Sequence, residues 1–498
     1  MNRLRNTAFP ILMLSLAACP LWAQEPAEKS GKQLAFALQE AFADAIEKAE
    51  PSLVSVVRIR VVDGLAADSL LGPHDDQRLM EIRRQIELRR GLARDLVHPS
   101  WTDTFDPNWM PQDYGSGVVI DENGLVLTNH HVIERADRLW VILHDGRVVP
   151  ATIWAGDPRS DLAILRIHVK GLRPIKVGDA SKVKKGHLVL ALGNLLAMAR
   201  DGRASASWGI VANIARRLPP PGSNSPDELT LHHSGTLFQT DARLNYGTSG
   251  GAMINLQGEM IGLVTALAAV RGFDQAAGYA IPLDDTMKRI ISLLREGREV
   301  EYGFLGIIPQ DYRRGGDQEP ESVPSGALVK ECYIGSPGYQ GGLQPGDIIT
   351  AVDGKKVTNR EELVLTVGTR FAGNRIPFEI IRNGQRINLT MTLGEFPVTG
   401  QIYASVRPPA WRGLRVDYTS LLLRAGQQRL GGLPDGGVLV TEVESGSPAA
   451  NAGLAIDAII THIGGVRVRS PAEFYDVIRT LKGTVEIRTD GEKFTVGE

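Results

Sequence analysis

The sequence predicts a mainly β protein in which a barrel or sandwich domain precedes two copies of a smaller module. Between Gly115 and Ile290, short β-branched runs recur with Asn-Gly and Asp-Gly turns among them, the spacing of an all-β domain. Farther along, Ser336-Pro337 and the residues around it recur 111 residues later at Ser447-Pro448. Since 498 residues exceed what one ordinary core accommodates, we expect about three domains.

The composition is that of a globular protein whose partners are proteins or peptides. Hydrophobic residues make up 43% of the chain, charged residues make up 22%, and the formal net charge is -2. These values exclude wholesale disorder, and they provide no strongly basic surface for nucleic acid. We therefore expect no nucleic-acid partner.

The N-terminus has the features of a signal peptide. Two arginines precede the apolar run Phe9–Ala18, and small residues follow it. Cleavage after Ala23 would define a signal peptide of residues 1–23. The string Leu16-Ala17-Ala18-Cys19 resembles a bacterial lipobox, which would instead end the signal at residue 18 and place a lipid on Cys19. The apolar run is too short to span a bilayer, so we expect a periplasmic protein that is free or anchored at Cys19.

The rest of the chain divides by pattern into four segments. Residues 24–50 contain an amphipathic helix, and residues 51–290 form the β domain. A charged stretch with helical spacing, residues 63–114, interrupts that domain as an insertion in a long loop. The repeated modules span residues 301–395 and 405–498, with a linker at residues 396–409. Cys19 and Cys332 are the only cysteines, so we expect no internal disulfide in the mature chain.

Three strings supply histidine, aspartate and serine in that order: TNHHVIERAD, DPRSDLAILRI and QTDARLNYGTSGGAMINL. A serine hydroxyl is a weak nucleophile at neutral pH and needs an imidazole to take its proton. The imidazole needs a buried carboxylate to fix its tautomer. Glycines around Ser249 let the backbone N–H groups of Gly247 and Ser249 converge on a developing oxyanion.

These strings resemble the motifs of the HtrA/Deg family, trypsin-like serine proteases that carry PDZ domains. The resemblance implies that His131, Asp161 and Ser249 are the catalytic residues, with the oxyanion hole at residues 247–249, which include Thr248. It also implies a chymotrypsin-like double β-barrel followed by two α+β PDZ domains. The neighbouring His130 is expected to be a loop residue, and Asp157, before a proline, is expected to form a turn.

The family's primary specificity pocket corresponds to Leu244, with Ala266 and Leu267 close by. An apolar pocket without a carboxylate disfavours Lys or Arg at the cleavage position, because their charge would be buried without a partner. Small or medium aliphatic residues are therefore expected there. Leu244 as an ordinary core residue remains the alternative.

The two repeats resemble PDZ domains, in which a peptide extends a sheet edge and its carboxylate meets backbone N–H groups. In the first repeat we expect Phe304, Leu305, Gly306 and Ile307 to bind the peptide beside a helix at residues 360–367. The corresponding helix of the second repeat is expected at residues 472–481. Arg412 and the altered turn at residues 455–458 make the second loop less typical, so a packing module without a ligand remains the alternative there.

The resemblance implies an ATP-independent serine endopeptidase of the cell envelope that degrades misfolded or damaged proteins. It also implies C-terminal peptides as PDZ ligands and assembly into trimers or larger oligomers. The acyl-enzyme mechanism requires no metal and no cofactor. The competing hypothesis is a chaperone or peptide-binding scaffold in which the same fold has a collapsed oxyanion loop.

Overall fold

A computed structural model describes residues 31–59, 113–194, 202–217, 230–244, 247–268, 277–312, 325–398, 400–426, 433–434 and 436–498. The predicted signal peptide, the lipobox cysteine and residues 63–112 of the predicted insertion lie outside these ranges.

The β domain predicted for residues 51–290 begins with a closed barrel of six antiparallel strands. In order around the barrel β1 pairs with β2, β2 with β3, β3 with β6, β6 with β5, β5 with β4, and β4 with β1. The strands are β1 (Leu53–Ile59), β2 (Asp113–Val119), β3 (Leu125–Asn129), β4 (Arg138–Ile142), β5 (Val148–Asp157) and β6 (Leu162–Ile167). The turn between β2 and β3 needs a glycine, since Gly124 has φ +106° and a Cβ there would lie 2.0 Å from the Ile167 carbonyl oxygen.

A second closed barrel follows, with its strands in the order β10, β11, β12, β9, β8 and β7. These strands are β7 (Leu188–Gly193), β8 (Ser205–Arg216), β9 (Leu237–Thr240), β10 (Ala252–Ile254), β11 (Met260–Ala268) and β12 (Ala277–Pro282). Aliphatic side chains such as Leu192, Ile254 and Leu263 are fully buried and share one core with residues of the first barrel. This shared core fixes the cleft between the barrels, where trypsin-like sites lie.

Three α-helices accompany the barrels in the described ranges. Helix α1 (Gly31–Ala49) buries Ala45 and Ala49 in the shared core, while its N-terminal half exposes Leu34, Phe36 and Leu38. A four-residue helix, α2 (His130–Ile133), follows β3, and α3 (Asp285–Arg295) closes the region with an apolar stripe on β5 and β6. None of the helices in the described ranges is long and apolar enough to cross a membrane.

Each repeat forms a small α+β domain with its own core. The first contains β13 (Gly303–Phe304), β14 (Ile307–Tyr312), β15 (Gly326–Cys332), α4 (Pro337–Gln340), β16 (Ile348–Val352), β17 (Lys355–Lys356), α5 (Arg360–Gly368), β18 (Arg375–Arg382), β19 (Gln385–Thr392) and β20 (Gly394–Glu395). The second contains β22 (Leu414–Tyr418), β23 (Val438–Val443), α6 (Pro448–Asn451), β24 (Ile459–Ile463), β25 (Val466–Arg467), α7 (Pro471–Ile478), β26 (Val485–Thr489) and β27 (Lys493–Val496). Both sheets follow the same order, β14-β15-β16-β18-β19 and β22-β23-β24-β26-β27, as the internal repeat predicts.

The segment between the two repeats is attached to the first barrel and is not a free linker. Its strand β21 (Tyr403–Ala404) pairs antiparallel with β5, and Val398 is buried in the barrels' shared core. The His130 ring contributes, since its Nε2 lies 2.8 Å from the Gln401 carbonyl oxygen. The expectation of a loop position for His130 is therefore wrong: this residue is buried in α2 and holds the inter-repeat segment in place.

Candidate active site

His131 and Asp161 meet in the cleft between the barrels. His131 lies in α2, directly after β3, and Asp161 lies in the tight turn that joins β5 to β6, with φ +55°. His131 Nδ1 is 2.9 Å from Asp161 Oδ1 and 2.8 Å from Oδ2, and the His131 backbone N–H donates to Oδ1 at 3.0 Å. The carboxylate thus fixes both the ring and the backbone of the histidine, as a base-orienting group must.

Two further side chains complete the surroundings of the carboxylate. Asn129 Nδ2 donates to Asp161 Oδ2 at 3.2 Å, and Thr265 Oγ1 donates to the same oxygen at 3.0 Å. Thr265 comes from β11 of the second barrel, so both barrels hold Asp161. These donors stabilise the ionised form of the carboxylate.

The pair has the electrostatics of a histidine base with an ionised partner. Burial raises the pKa of Asp161, but the nearby His131 charge and its hydrogen bonds outweigh burial and lower this pKa to about 2. Burial alone would lower the pKa of His131, whereas the Asp161 charge and hydrogen bond raise it above 6.5. The His131 side chain remains 44% exposed, so a substrate can reach its free face.

Ser249 lies in the loop between β9 and β10, beside the helix that carries His131. Gly115 separates the two segments: a Cβ at this position would lie 2.7 Å from Val132 Cγ1 and 3.2 Å from the Ser249 carbonyl oxygen. The Ser249 carbonyl also accepts a hydrogen bond from the Ser116 backbone N–H at 2.7 Å. Only glycine fits at residue 115, because the approach of the two segments leaves no room for a side chain.

Ser116 anchors the loop through its side chain as well. The fully buried Oγ donates to the Gly247 carbonyl at 2.7 Å and accepts from the Asn194 backbone N–H at 2.8 Å. Gly247 and Gly250 have φ values of +95° and +86°, a conformation that favours glycine. One hydroxyl therefore connects the loop of Ser249 to the end of β7.

The loop leaves donors available at the predicted oxyanion position. Within the described ranges, the backbone N–H groups of Gly247 and Ser249 donate to no protein acceptor. Thr248, between them, is buried, with its carbonyl accepting from the Gly251 N–H at 2.9 Å. In the same part of the chain no hydrogen bond joins Ser249 Oγ to His131 Nε2, a contact that often tightens only when substrate binds.

Asp157 does not compete for the histidine. Its Oδ2 accepts from the Ser160 backbone N–H at 2.8 Å and also accepts from the Tyr302 hydroxyl. Asp157 therefore joins the first barrel to the start of the first repeat. The structure brings Asp161, not Asp157, to His131.

The residues predicted for the specificity pocket are only partly described. Leu244 is half-buried beside the core of the second barrel, and a Cβ on Gly278 would lie 2.7 Å from its Cδ1. The backbones of Ala266 and Leu267 run in β11 next to β12, while their side chains lie outside the described residues. Leu244 is compatible with both the pocket and the core interpretation.

The first repeat carries an open groove between β14 and α5. It has a volume of about 110 Å³, and Phe304, Leu305, Gly306 and Ile307 line it together with Leu363 and Val367 of the helix. The Leu305 and Gly306 carbonyls accept from Gly338 and Tyr333 N–H groups, at 2.8 and 2.9 Å. The N–H groups of Leu305 and Gly306 donate to no acceptor in the described part of the chain.

The corresponding loop of the second repeat is held differently. Arg412, which has φ +53°, donates from Nη1 to the carbonyls of Val496 and Gly497, each at 2.7 Å. The Leu414 N–H is bonded to the Trp411 carbonyl at 2.9 Å. Arg412 thus ties this loop to the C-terminal strand.

Comparison with known proteins agrees with this architecture. A family model described as a trypsin-like peptidase domain matches residues 115–263, and a PDZ domain model matches residues 328–364 and 439–489. A probable periplasmic serine endoprotease DegP-like from Ectopseudomonas mendocina is 31% identical over 477 residues, which cover 95% of this chain and 93% of that protein. The chain belongs to the HtrA/Deg family of serine endopeptidases.

Other HtrA/Deg proteins support the assignment. A DegP-like endoprotease of the same description from Chlamydia trachomatis is 32% identical over 388 residues, which cover 77% of this chain and 73% of that one. The solved structure of the HtrA-type protease AlgW with a decapeptide superposes with a TM-score of 0.52 at 26% identity, covering 72% of this chain and 99% of that one. The predicted fold class, a mainly β chain with a double-barrel protease region and two PDZ domains, is confirmed, as is the assignment as a cell-envelope serine endopeptidase.

Sequence reasoning missed several residues of this HtrA/Deg site. Asn129 directly precedes the two histidines, inside a string already singled out, whereas Thr265 lies outside those strings and directly precedes the predicted pocket residues Ala266 and Leu267. Ser116 carries no such signal, since a serine between two glycines also fits an ordinary strand. Among the described residues, no three His, Cys, Asp or Glu side chains form a group that could hold a metal ion.

Proposed function

We propose that Ser249 is the nucleophile, His131 the general base and then acid, and Asp161 the group that orients the imidazole. The observation that carries this proposal is the contact of Asp161 with both Nδ1 and the backbone N–H of His131, beside the loop of Ser249. Nδ1 is engaged by the carboxylate, so the neutral ring presents Nε2 as the base. Ser249 Oγ attacks the peptide carbonyl, and the proton passes from Oγ to the leaving amine through His131.

We propose the N–H groups of Gly247 and Ser249 as the oxyanion donors, with Thr248 as the residue that spaces them. Neither group donates to an acceptor among the residues that the structure describes, and the Ser116 hydroxyl restrains the Gly247 carbonyl. Donors fixed before the reaction stabilise the developing negative charge without reorganisation. Water then hydrolyses the acyl-enzyme in the same geometry.

The substrates we propose are unfolded or damaged proteins of the cell envelope. The supporting relatives are described as periplasmic endoproteases. A pocket formed by Leu244, Ala266 and Leu267 would favour small or medium aliphatic residues on the acyl side, because an apolar wall cannot pair a buried Lys or Arg charge.

We propose that the first PDZ domain binds peptides through a free C-terminus. The groove of the first repeat is open, and it is lined by Leu305 and Gly306, whose N–H groups have no acceptor within the described ranges. AlgW, the related protease, was solved with a decapeptide. We propose no peptide ligand for the second PDZ domain. Arg412 ties the loop of that domain to the C-terminal strand, and the Leu414 N–H already donates to the Trp411 carbonyl.

We also propose export by the N-terminal signal, with release after Ala23 or lipid anchoring at Cys19, and assembly into a homo-oligomer of three subunits or more. Leu34 and Leu38 lie one turn apart on α1 and are 56% and 43% exposed, an apolar surface that a neighbouring subunit would cover.

A fluorophosphonate probe tests the proposed nucleophile directly, because it forms an adduct only with an activated serine. We expect one adduct, on Ser249, by mass spectrometry of the digested protein. His131→Ala should prevent labelling while the protein keeps its melting temperature. Labelling at another serine, or equal labelling of the His131→Ala variant, would overturn the assignment.

A further inference from the structure

Arg159 is a buried arginine of the protease region that reaches into the first PDZ domain. It precedes Asp161 by two residues, in the turn between β5 and β6. Its side chain stacks between two aromatic rings, with Cζ 3.4 Å from the Phe396 centroid and 4.8 Å from the Tyr302 centroid. Only 6% of the residue is exposed.

Two of the three guanidinium nitrogens have no acceptor among the described residues. Nε and Nη1 are both buried and make no hydrogen bond in the described part of the chain. Asp157, the carboxylate whose charge acts on Arg159, is already engaged by Ser160 and Tyr302. Burial lowers the pKa of Arg159 to about 10, so the group is still a cation at neutral pH. The two rings stabilise the cation, but a buried cation without an anionic partner is still costly, and an anion that entered this position would relieve the cost.

Arg159 lies at the end of the groove where the loop of residues 303–306 is found. It lines the groove together with Gly303, Phe304 and Gly306. Gly368, the last residue of α5, contacts it from the other side, since a Cβ there would lie 2.7 Å from Nη2. Arg159 therefore lines the same groove as the loop whose backbone N–H groups at Leu305 and Gly306 have no acceptor among the described residues.

We propose that Arg159 binds the C-terminal carboxylate of a peptide in the groove of the first PDZ domain, together with the backbone N–H groups of Leu305 and Gly306. This inference rests on the proposed function of that groove. A guanidinium can offer two N–H donors to one carboxylate, and such charge-assisted bonds are stronger than neutral ones. Carboxylate recognition in this protein is thus shared between the PDZ domain and the protease region.

The shared site also connects the ligand to the catalytic residues. A carboxylate on Arg159 is held two residues from Asp161, within a segment whose Ser160 carbonyl lies 2.8 Å from His232 Nε2. The Arg159 carbonyl itself accepts from the Leu231 N–H at 2.9 Å. The residue that would bind the peptide, Arg159, and the proposed catalytic aspartate, Asp161, therefore lie in one short segment that hydrogen bonds hold in place.

The test compares a fluorescein-labelled decapeptide ending in Val-COOH with its amidated form, on full-length protein carrying Ser249→Ala so that the peptide is not cleaved. We expect the free acid to bind more tightly, by roughly ten- to a hundredfold, the range typical of a hydrogen bond to a charged group. Arg159→Met should reduce this acid-to-amide ratio by roughly tenfold while leaving the affinity for the amide unchanged, with the backbone N–H groups of Leu305 and Gly306 keeping the remaining preference for the acid. Arg166→Met is the matched control, since Arg166 also stacks on an aromatic ring, Trp154, away from the groove.

An unchanged ratio in Arg159→Met would overturn the role of Arg159, although tight binding of the acid would still support the groove as a peptide site. If neither peptide binds the Ser249→Ala protein, the proposed function of the groove fails, and this inference fails with it. If Arg159→Met does not fold, as shown by the loss of its cooperative melting transition, the Arg159→Lys variant is used in the binding test instead. Lysine keeps the charge without the fork of donors, so we expect a ratio reduced several-fold, and an unchanged ratio would contradict the proposal.

Discussion

The Ser116 hydroxyl is the least obvious requirement of the proposed mechanism, and Ser116→Ala tests it. The substitution removes two hydrogen bonds, from Oγ to the Gly247 carbonyl and from the Asn194 N–H to Oγ, both in a fully buried position. The space left by one oxygen atom is too small for water, so both backbone groups lose their partners. At about 1–3 kcal/mol for each unsatisfied group, the free energy of unfolding should fall by roughly 2–6 kcal/mol.

The catalytic effect should appear in kcat more than in KM, because the Gly247 carbonyl belongs to the loop that presents the oxyanion donors. Loss of one well-placed oxyanion donor lowers kcat by roughly a hundred- to a thousandfold. The fall in kcat for Ser116→Ala should not exceed this range, because the substitution loosens the loop and removes no oxyanion donor. Initial rates on a quenched fluorescent peptide, measured well below the melting temperature, give both constants.

Ser420→Ala is the matched control for Ser116→Ala. Ser420 is also buried, and its Oγ donates to the Glu395 carbonyl at 2.6 Å, far along the chain from the catalytic loop. This variant should lose stability and keep its kcat. A kcat within twofold of wild type for folded Ser116→Ala would refute the role given to this hydroxyl.

Three further predictions concern the base, the pocket and the oligomer. Since the Asp161 carboxylate raises the pKa of His131 above 6.5 and the neutral ring is the base, activity should rise with pH through a midpoint above 6.5. Asp161→Asn should shift that midpoint of the pH–rate profile to lower pH and reduce kcat by about 10⁴-fold. Leu244→Asp should move cleavage sites in casein from aliphatic residues towards Lys and Arg, as mass spectrometry of the fragments would reveal. Leu34→Glu, in the exposed apolar surface of α1, should lower the molar mass measured by light scattering to that of a monomer.

Much of the fold follows from local sequence signals. The alternation of strands and the Asn-Gly and Asp-Gly turns predict a β domain, and the 111-residue repeat predicts two modules of the same order. The segment between the repeats could not be predicted in the same way. Tyr403 and Ala404 form only a two-residue strand, whose partner β5 is distant in sequence. A two-residue strand is too short to show the alternation of apolar and polar residues by which a strand is recognised in a sequence.

The residues of the site also divide into those that a sequence motif identifies and those whose role depends on contacts made only in the folded protein. His131, Asp161 and Ser249 lie in motifs, and the structure places the first two in contact. Thr265 and Ser116 act through hydrogen bonds to residues more than a hundred positions away, so their partners depend on the barrels coming together. Arg159 is similar, because its contacts with Phe396 and the groove exist only once the first PDZ domain has docked.

Digestion of an unfolded substrate tests the central claim most directly. Purified wild-type protein, Ser249→Ala and His131→Ala would each be incubated with casein, and the new N-termini sequenced. We predict that the wild type cuts casein at internal bonds, and that both variants, with unchanged melting temperatures, release no fragments above background. Casein digestion by Ser249→Ala at the wild-type rate would contradict the assignment of Ser249 as the nucleophile.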